Sequence, residues 1–221
     1  NKVIFEETNQ TLGLTYRYQW NSSNKFGFVR KSTLVNDNDA AIDVTILDGI
    51  QNILPYGVNA DLQNDRSNLV DAYKKSELAS KLGIGVYALS AIIVDKAEPS
   101  EALKATVVWS AGIDNPTYLL SSRQVDGFRK GQKIKGEVDV KAEKGAYLVC
   151  SDMTLEASTE KKWMLVANVN QTMVNISEIS DLIENGANLE AIVQEDIESG
   201  SKNLLALNAA SDGVQLTADN L

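Results

Sequence analysis

The stretch Tyr16–Val29, YRYQWNSSNKFGFV, decides the fold class. Tyr16, Tyr18 and Trp20 alternate with Arg17 and Gln19, a period of two that places all three aromatics on one side of an extended chain. The polar run NSSNK follows, and then Phe26 and Phe28 alternate with Gly27 and Val29. Two alternating runs around a turn-forming segment are the signature of a β-hairpin.

The same period recurs along the chain. Ile42, Val44 and Ile46 alternate with Asp43, Thr45 and Leu47 between the punctuating runs NDND and DG. Ile84, Val86 and Ala88 open a strand that becomes wholly apolar at Ile92–Val94, and Leu103, Ala105, Val107 and Trp109 define the inward register of another. Ile134, Val138 and Val140 alternate with Lys133, Lys135, Glu137, Asp139 and Lys141, which predicts a strand with one wet face. Two further strands are expected around Ala146–Leu155 and Lys162–Asn170. Short strands joined by turns, without alternating helices, predict an antiparallel β-sandwich. Tyr73–Leu82, YKKSELASKL, is rich in helix formers but keeps only part of a helical stripe, and its pattern leaves helix and strand open.

The period changes near Ile176. Ile176, Ile179, Leu182 and Ile183 recur at helical spacing, with Ser177 as the expected N-cap and Gly186 as the residue just past the end. A second helix opens after Asn188 on the stripe Leu189, Ile192, Val193 and Ile197. It continues less regularly to Leu204, Leu205 and Leu207, with Gly213 as its expected end. The fold class is therefore mainly β, followed by C-terminal helices, divided into residues 1–175 and 176–221.

Composition narrows the function. Thirty acidic residues against 21 basic ones give a net charge of −9, a surface that repels phosphate backbones and anionic membranes. The chain contains no histidine. That removes Ser-His-Asp and Cys-His catalysis, imidazole zinc sites and the one side chain that normally titrates between pH 5 and 8. Its single cysteine, Cys150, forms no internal disulfide and fixes no compartment. The longest nearly apolar run, Val86–Val94, is too short to span a bilayer. The chain begins at Asn1 with neither initiator methionine, basic stretch nor apolar signal core, and stops at TADNL (217–221), which offers no natural terminator, so a piece of a longer protein is expected.

Four constellations invite a chemical reading. Asp95, Glu98 and Glu101 could serve as paired carboxylates, although Pro99 and Ser100 favour a solvated turn. Asp37, Asn38, Asp39 and Asp43 have calcium-type oxygens but lack the central glycine and closing glutamate of an EF-hand loop. A turn held by Asx hydrogen bonds is the expected form. Arg129, Lys130, Lys133 and Lys135 beside Phe128 could bind an anion or a polysaccharide, and a solvated hairpin face is the expectation in so acidic a chain. Gly127 and Gly131 do not make a phosphate loop. Finally, Trp20, Trp163 and Tyr87 are the candidate sugar-contacting residues, because aromatic faces stack on sugar rings, although aromatics at alternating positions of a β-sandwich are more often core or cross-strand pairs, and core is the expected place of each tryptophan. Trp109 is assigned to the core.

Five phrases occur in order: SNKFGFVRKSTLVN (23–36), ILDGIQNILPYGV (46–58), DAYKKSEL (71–78), YALSAIIVDKAEPSEALKATVVWSAG (87–112) and KKWMLVANVNQ (161–171). Together they resemble the N-terminal region of large bacterial proteins related to cellobiose phosphorylase, the inverting glycoside phosphorylases and their hydrolase-like relatives. The resemblance implies a β-supersandwich similar to galactose mutarotase, then linker helices, then an (α/α)6 barrel that carries the catalytic carboxylates. It favours strand over helix for much of Tyr73–Leu82. It implies a non-catalytic scaffold with no catalytic residue, cofactor or metal of its own. Its partners would be the barrel of the same polypeptide and, in the wider set, a carbohydrate or a second copy of the chain, and neither nucleic acid nor membrane. A carbohydrate-binding β-sandwich module is the alternative. Mutarotases move protons with histidine, which this chain lacks, so sugar epimerisation does not carry over.

Overall fold

The computed structural model describes residues 2–91 and 102–211. Its strands are β1 (Lys2–Asn9), β2 (Leu14–Ser23), β3 (Gly27–Asn36), β4 (Ile42–Ile53), β5 (Lys74–Ala79), β6 (Ile84–Leu89), β7 (Ala105–Ala111), β8 (Thr117–Leu119), β9 (Asp139–Lys141), β10 (Gly145–Leu155) and β11 (Glu160–Gln171). The helices are α1 (Ala60–Asp65), α2 (Ser67–Tyr73), α3 (Val125–Arg129), α4 (Met173–Glu184) and α5 (Leu189–Ala210). Eight strands form one sheet in the order β1-β2-β3-β11-β7-β6-β5-β9, and β4-β10-β8 form a second of three. Every pairing is antiparallel. The expected antiparallel sandwich with C-terminal helices is the observed fold.

Period-two patterning builds three layers. In β11, Trp163 and Leu165 point toward the small sheet, where they meet Leu155 and Val149. The intervening Met164 and Val166 point the other way, onto Phe26, Trp109, Val193 and Ile197. The large sheet is thus sandwiched between the small sheet and the two C-terminal helices. Trp109 is 2% exposed in that helix-side core.

The strand at Tyr73–Leu82 resolves as β5, preceded by two short helices that the sequence pattern did not announce. Lys74 explains why the chain turns there. Its buried ammonium donates to Gln63 Oε1 at 2.6 Å and to Asp71 Oδ1 at 2.7 Å, pinning α1 and α2 to the start of β5.

Several expectations need correction. The alternation from Ile134 to Val140 does not make a full strand; only Asp139–Lys141 pairs, as β9. Ile134 instead packs beside Leu119 and Leu148 on the outer face of the small sheet. The Glu137 carboxylate accepts the Leu120 and Ser121 backbone N–H groups at 2.9 and 2.8 Å. With the Glu137 side chain committed to that loop, the backbone here makes single bonds, Glu137 N–H to the Tyr118 carbonyl and Leu78 N–H to the Val138 carbonyl, rather than a ladder. The basic stretch contains the short helix α3 rather than a hairpin, and Arg129, Lys130, Lys133 and Lys135 are all exposed. Leu103 lies before β7 and is exposed, so it is not part of the inward register. The strand begun at Ile84 ends at Leu89, and Ile92–Val94 lie outside the described residues.

Helix α4 starts one turn earlier than the stripe suggested. Its N-cap is Thr172, in a reciprocal capping box with Asn175, rather than Ser177. Gly186 occupies the left-handed region at φ 63° just past the helix, where a side chain would be strained. Helix α5 runs unbroken through Gly200 to Ala210, and Gly213 lies outside the described residues.

Asp196 docks α5 on the β2–β3 turn. It accepts from the Ser23 hydroxyl and, at 3.1 Å, from the Lys25 backbone N–H. Burial pushes its carboxyl up, but these hydrogen bonds outweigh burial and leave it below the usual aspartate range. A depressed folded pKa stabilises above the unfolded value of about 3.9 and is lost as pH falls through the lower folded value. Asp196→Ala is expected to cost about 1 kcal/mol at neutral pH. The difference from wild type should vanish in acid, as measured by urea unfolding across that range.

Candidate functional site

The mismatch in sheet width creates the main site. Three strands cannot cover eight, so the side chains of β1 and β2 that face the small sheet project at its margin. Register assigns them: Val3 lies opposite Trp20 and Phe5 opposite Tyr18, while Trp20 lies opposite Arg30 of β3. A cleft of about 760 Å³ opens here, walled by Val3, Trp20, Phe28, Ile50 and Ala167. An aromatic ladder runs inward beside it. Phe5 stacks on Tyr18 at 4.8 Å, Tyr18 lies 5.7 Å from Tyr16, and Tyr16 lies 6.1 Å from Trp163.

A buried ion pair closes the inner end. The Arg30 guanidinium lies 5.4 Å from the Tyr18 ring and 5.9 Å from the Trp20 ring. It bonds the Asp48 carboxylate and donates to the Gly49 carbonyl at 2.8 Å. Asp48 also accepts from Trp163 Nε1 at 2.7 Å, the Tyr16 hydroxyl at 3.2 Å and the Ser32 hydroxyl at 3.3 Å. Burial, together with the Asp48 charge, pushes the Tyr16 phenol up to about 12, so it remains a donor. The network ties β2, β3 and β11 of the large sheet to β4 of the small one.

The three candidate sugar-contacting residues separate. Trp20 is half-buried and walls the cleft. Trp163 and Tyr87 are buried core residues and present no open ring face. Trp163 spends its N–H on Asp48, and the Tyr87 hydroxyl donates to the Ala146 carbonyl at 2.6 Å. Sequence reading missed Phe5, Arg30 and Asp48. The usable signal was Arg30 itself, a charge on the register of Phe28, Ser32 and Leu34, which demands a buried partner.

A second cleft of about 560 Å³ lies across the sheet, between its helix side and the start of α5. Arg17, Lys31 and Lys162 border it. Arg17 pairs with Glu6 and Lys162 with Glu160, while Lys31 Nζ donates to Gln194 Oε1 at 2.5 Å. Burial lowers the Lys31 pKa, against the pull of Glu190 and Glu198. Of the three, Lys31 alone bonds to α5 and ties β3 to the helix; the Arg17 and Lys162 pairs stay within the sheet.

The remaining constellations are structural where they are described. Asp37 accepts from Thr15 at 2.6 Å, Asp43 from Thr154 at 2.6 Å, and Asn38 donates to the Leu12 carbonyl at 2.9 Å, so this is a hydrogen-bonded turn. Burial raises the Cys150 thiol, which works against nucleophilicity. Asp95, Glu98 and Glu101 lie outside the described residues. Among the described residues, no cluster of three metal-ligating side chains occurs, and no helix is long and apolar enough to cross a membrane. The arrangement offers apolar contact, aromatic stacking and rigid support. No protein-family model matches the chain, and no curated protein matches it.

Proposed function

We propose that this chain is a non-catalytic supersandwich domain of a carbohydrate-active enzyme of the glycoside phosphorylase or hydrolase type. Residues 1–175 form its sandwich, and 176–221 lead toward an (α/α)6 catalytic barrel of the same polypeptide, which the domain covers. One observation carries the reading. The first half of α5 buries Val193 and Ile197 on the sandwich, but every residue from Ser201 to Ser211 is exposed, with Leu205 and Leu207 at 60% and 69%. Apolar side chains on a helix that has left its own core are a surface awaiting cover. The order of sandwich and then helices agrees with the family resemblance.

The coding sequence beyond Leu221 tests this. A pattern of about twelve paired helices supports the reading; a stop codon or an unrelated domain overturns it. In the isolated chain, amides at Leu204–Leu207 are expected to exchange fast and to become protected once the downstream polypeptide is joined. Slow exchange in a dilute monomer would mean that α5 needs no cover.

The aromatic ladder favours a second reading, a carbohydrate-binding module that stacks a sugar on Trp20. Against it stands the predominantly apolar wall of the cleft, where only Lys2, Asn21 and Ser22 offer polar groups, because sugar hydroxyls require polar partners. Calorimetric titration with cello-oligosaccharides separates the two. The module reading expects binding that falls about tenfold in Trp20→Ala with an unchanged melt; the scaffold reading expects no heat of binding up to about 10 mM ligand, an affinity weaker than about 3 kcal/mol.

A further inference from the structure

We infer that β1 is the seat of a two-fold dimer in which the β1 strands of two copies pair antiparallel, joining the large sheets edge to edge. This inference stands independently of the proposed function.

The two edges of the large sheet differ. The β9 edge is short, only Asp139–Lys141, and is followed by Ala142 in the left-handed region at φ 60°. Natural sheets blunt their edges in these ways. The β1 edge is neither short nor ended by a left-handed residue, and its charges, Lys2, Glu6 and Glu7, flank an uncharged run at Val3, Ile4 and Phe5. It runs for eight residues with unbroken register from Lys2↔Asn21 to Asn9↔Leu14, with neither proline nor glycine. All eight residues are exposed, and Val3, Ile4 and Phe5 are 58%, 54% and 48% exposed. Among the described residues, no strand pairs with its outer side. Its free backbone groups are a template for another strand.

Symmetry and charge select a second copy and one register. A two-fold axis normal to an antiparallel pair passes between identical residues, so one residue of β1 must face itself. Centring the axis on Ile4 places Val3 opposite the partner's Phe5 and Lys2 opposite the partner's Glu6. Both charged pairs, one on each side of the axis, are then of opposite sign, and the middle is apolar. Centring on Phe5 sets Ile4 against Glu6 and Val3 against Glu7, burying apolar side chains beside carboxylates. Cross-strand pairing of opposite charges and of apolar with aromatic groups is what stabilises a ladder. Five residues from each copy make a small interface, so a weak, concentration-dependent dimer is expected.

Sedimentation of the 221-residue chain between about 1 and 200 µM, a span chosen for a weak interface, tests the inference. Lys2→Glu and Glu6→Lys each turn two attractive pairs into repulsive ones and should weaken the dimer about five- to tenfold; the double variant should restore it, and because Glu6 also pairs with Arg17 in its own chain, Lys2→Glu is the variant that reads the dimer contact alone. Ile4→Cys should give an oxidised covalent dimer, and Val3→Cys should not, because Val3 faces Phe5. A chain that stays monomeric throughout overturns the inference. So does a dimer indifferent to both charge reversals, or one that resists cross-linking at position 4 but is abolished by Leu205→Glu, which would place the contact on α5.

Discussion

Trp109→Ala is expected to lower stability by about 3–5 kcal/mol, the usual cost of truncating a fully buried tryptophan. For a chain of this length that corresponds to a fall in melting temperature of about 10 °C. The residue occupies the point where strands and helices meet. Its strand, β7, is buried on both faces: Val107 and Trp109 toward the helices, Val108 toward the small sheet. The Phe26 ring meets it edge-on at 6.2 Å and 75°. Val193 and Ile197 of α5 share the cluster. The cavity would therefore loosen α5 before it disrupted the sheets, since β7 keeps its ladders to β6 and β11. Hydrogen exchange should show Leu189–Ser199 losing protection at temperatures where β11 still resists. A loss below about 1 kcal/mol, the range of ordinary surface substitutions, would mean that Trp109 is not what holds the helical layer down.

Asp48→Ala is expected to be comparably damaging, at about 3–5 kcal/mol. The Arg30 and Asp48 side chains are 10% and 15% exposed, and removing the carboxylate strands a buried guanidinium. It also deprives the Trp163 N–H and the Tyr16 and Ser32 hydroxyls of an acceptor. The informative comparison is the double variant Arg30→Met with Asp48→Leu. Replacing both partners of a buried pair by apolar groups is often neutral, so the double variant should melt well above Asp48→Ala. Were the pair an ordinary surface contact, Asp48→Ala would cost about 1 kcal/mol or less.

The reach of the sequence can be judged element by element. Period two in Tyr16–Trp20, Ile42–Ile46 and Lys162–Asn170 identified strands, because alternation is imposed by the backbone of each strand alone. The helical stripes of α4 and α5, and Gly186 beyond α4, were readable for the same local reason. The resemblance, rather than the pattern, favoured strand at β5. Where pattern failed, a distant partner decided. Ile134–Val138 alternates well enough for a strand, yet Glu137 bonds Leu120 and Ser121, and the segment remains irregular. Helices α1 and α2 are anchored by Lys74, a residue beyond their own span.

The site shows the same division. Trp20 was legible as an aromatic on an alternating strand, but not as one left half-exposed. Trp163 and Tyr87 looked equivalent to it, because alternation tells which residues share a face and not what covers that face. Only the tertiary structure lays the small sheet over Trp163 and Tyr87 and leaves Trp20 at its margin. It alone brings Asp48 to Trp163, 115 residues away in sequence, and to Arg30 in the opposing sheet. Local sterics determine a strand and its two faces from the amino acids within it. Which face is covered, which edge stays open and which charges meet depend on strands far apart in the chain, and these are settled only when the layers pack.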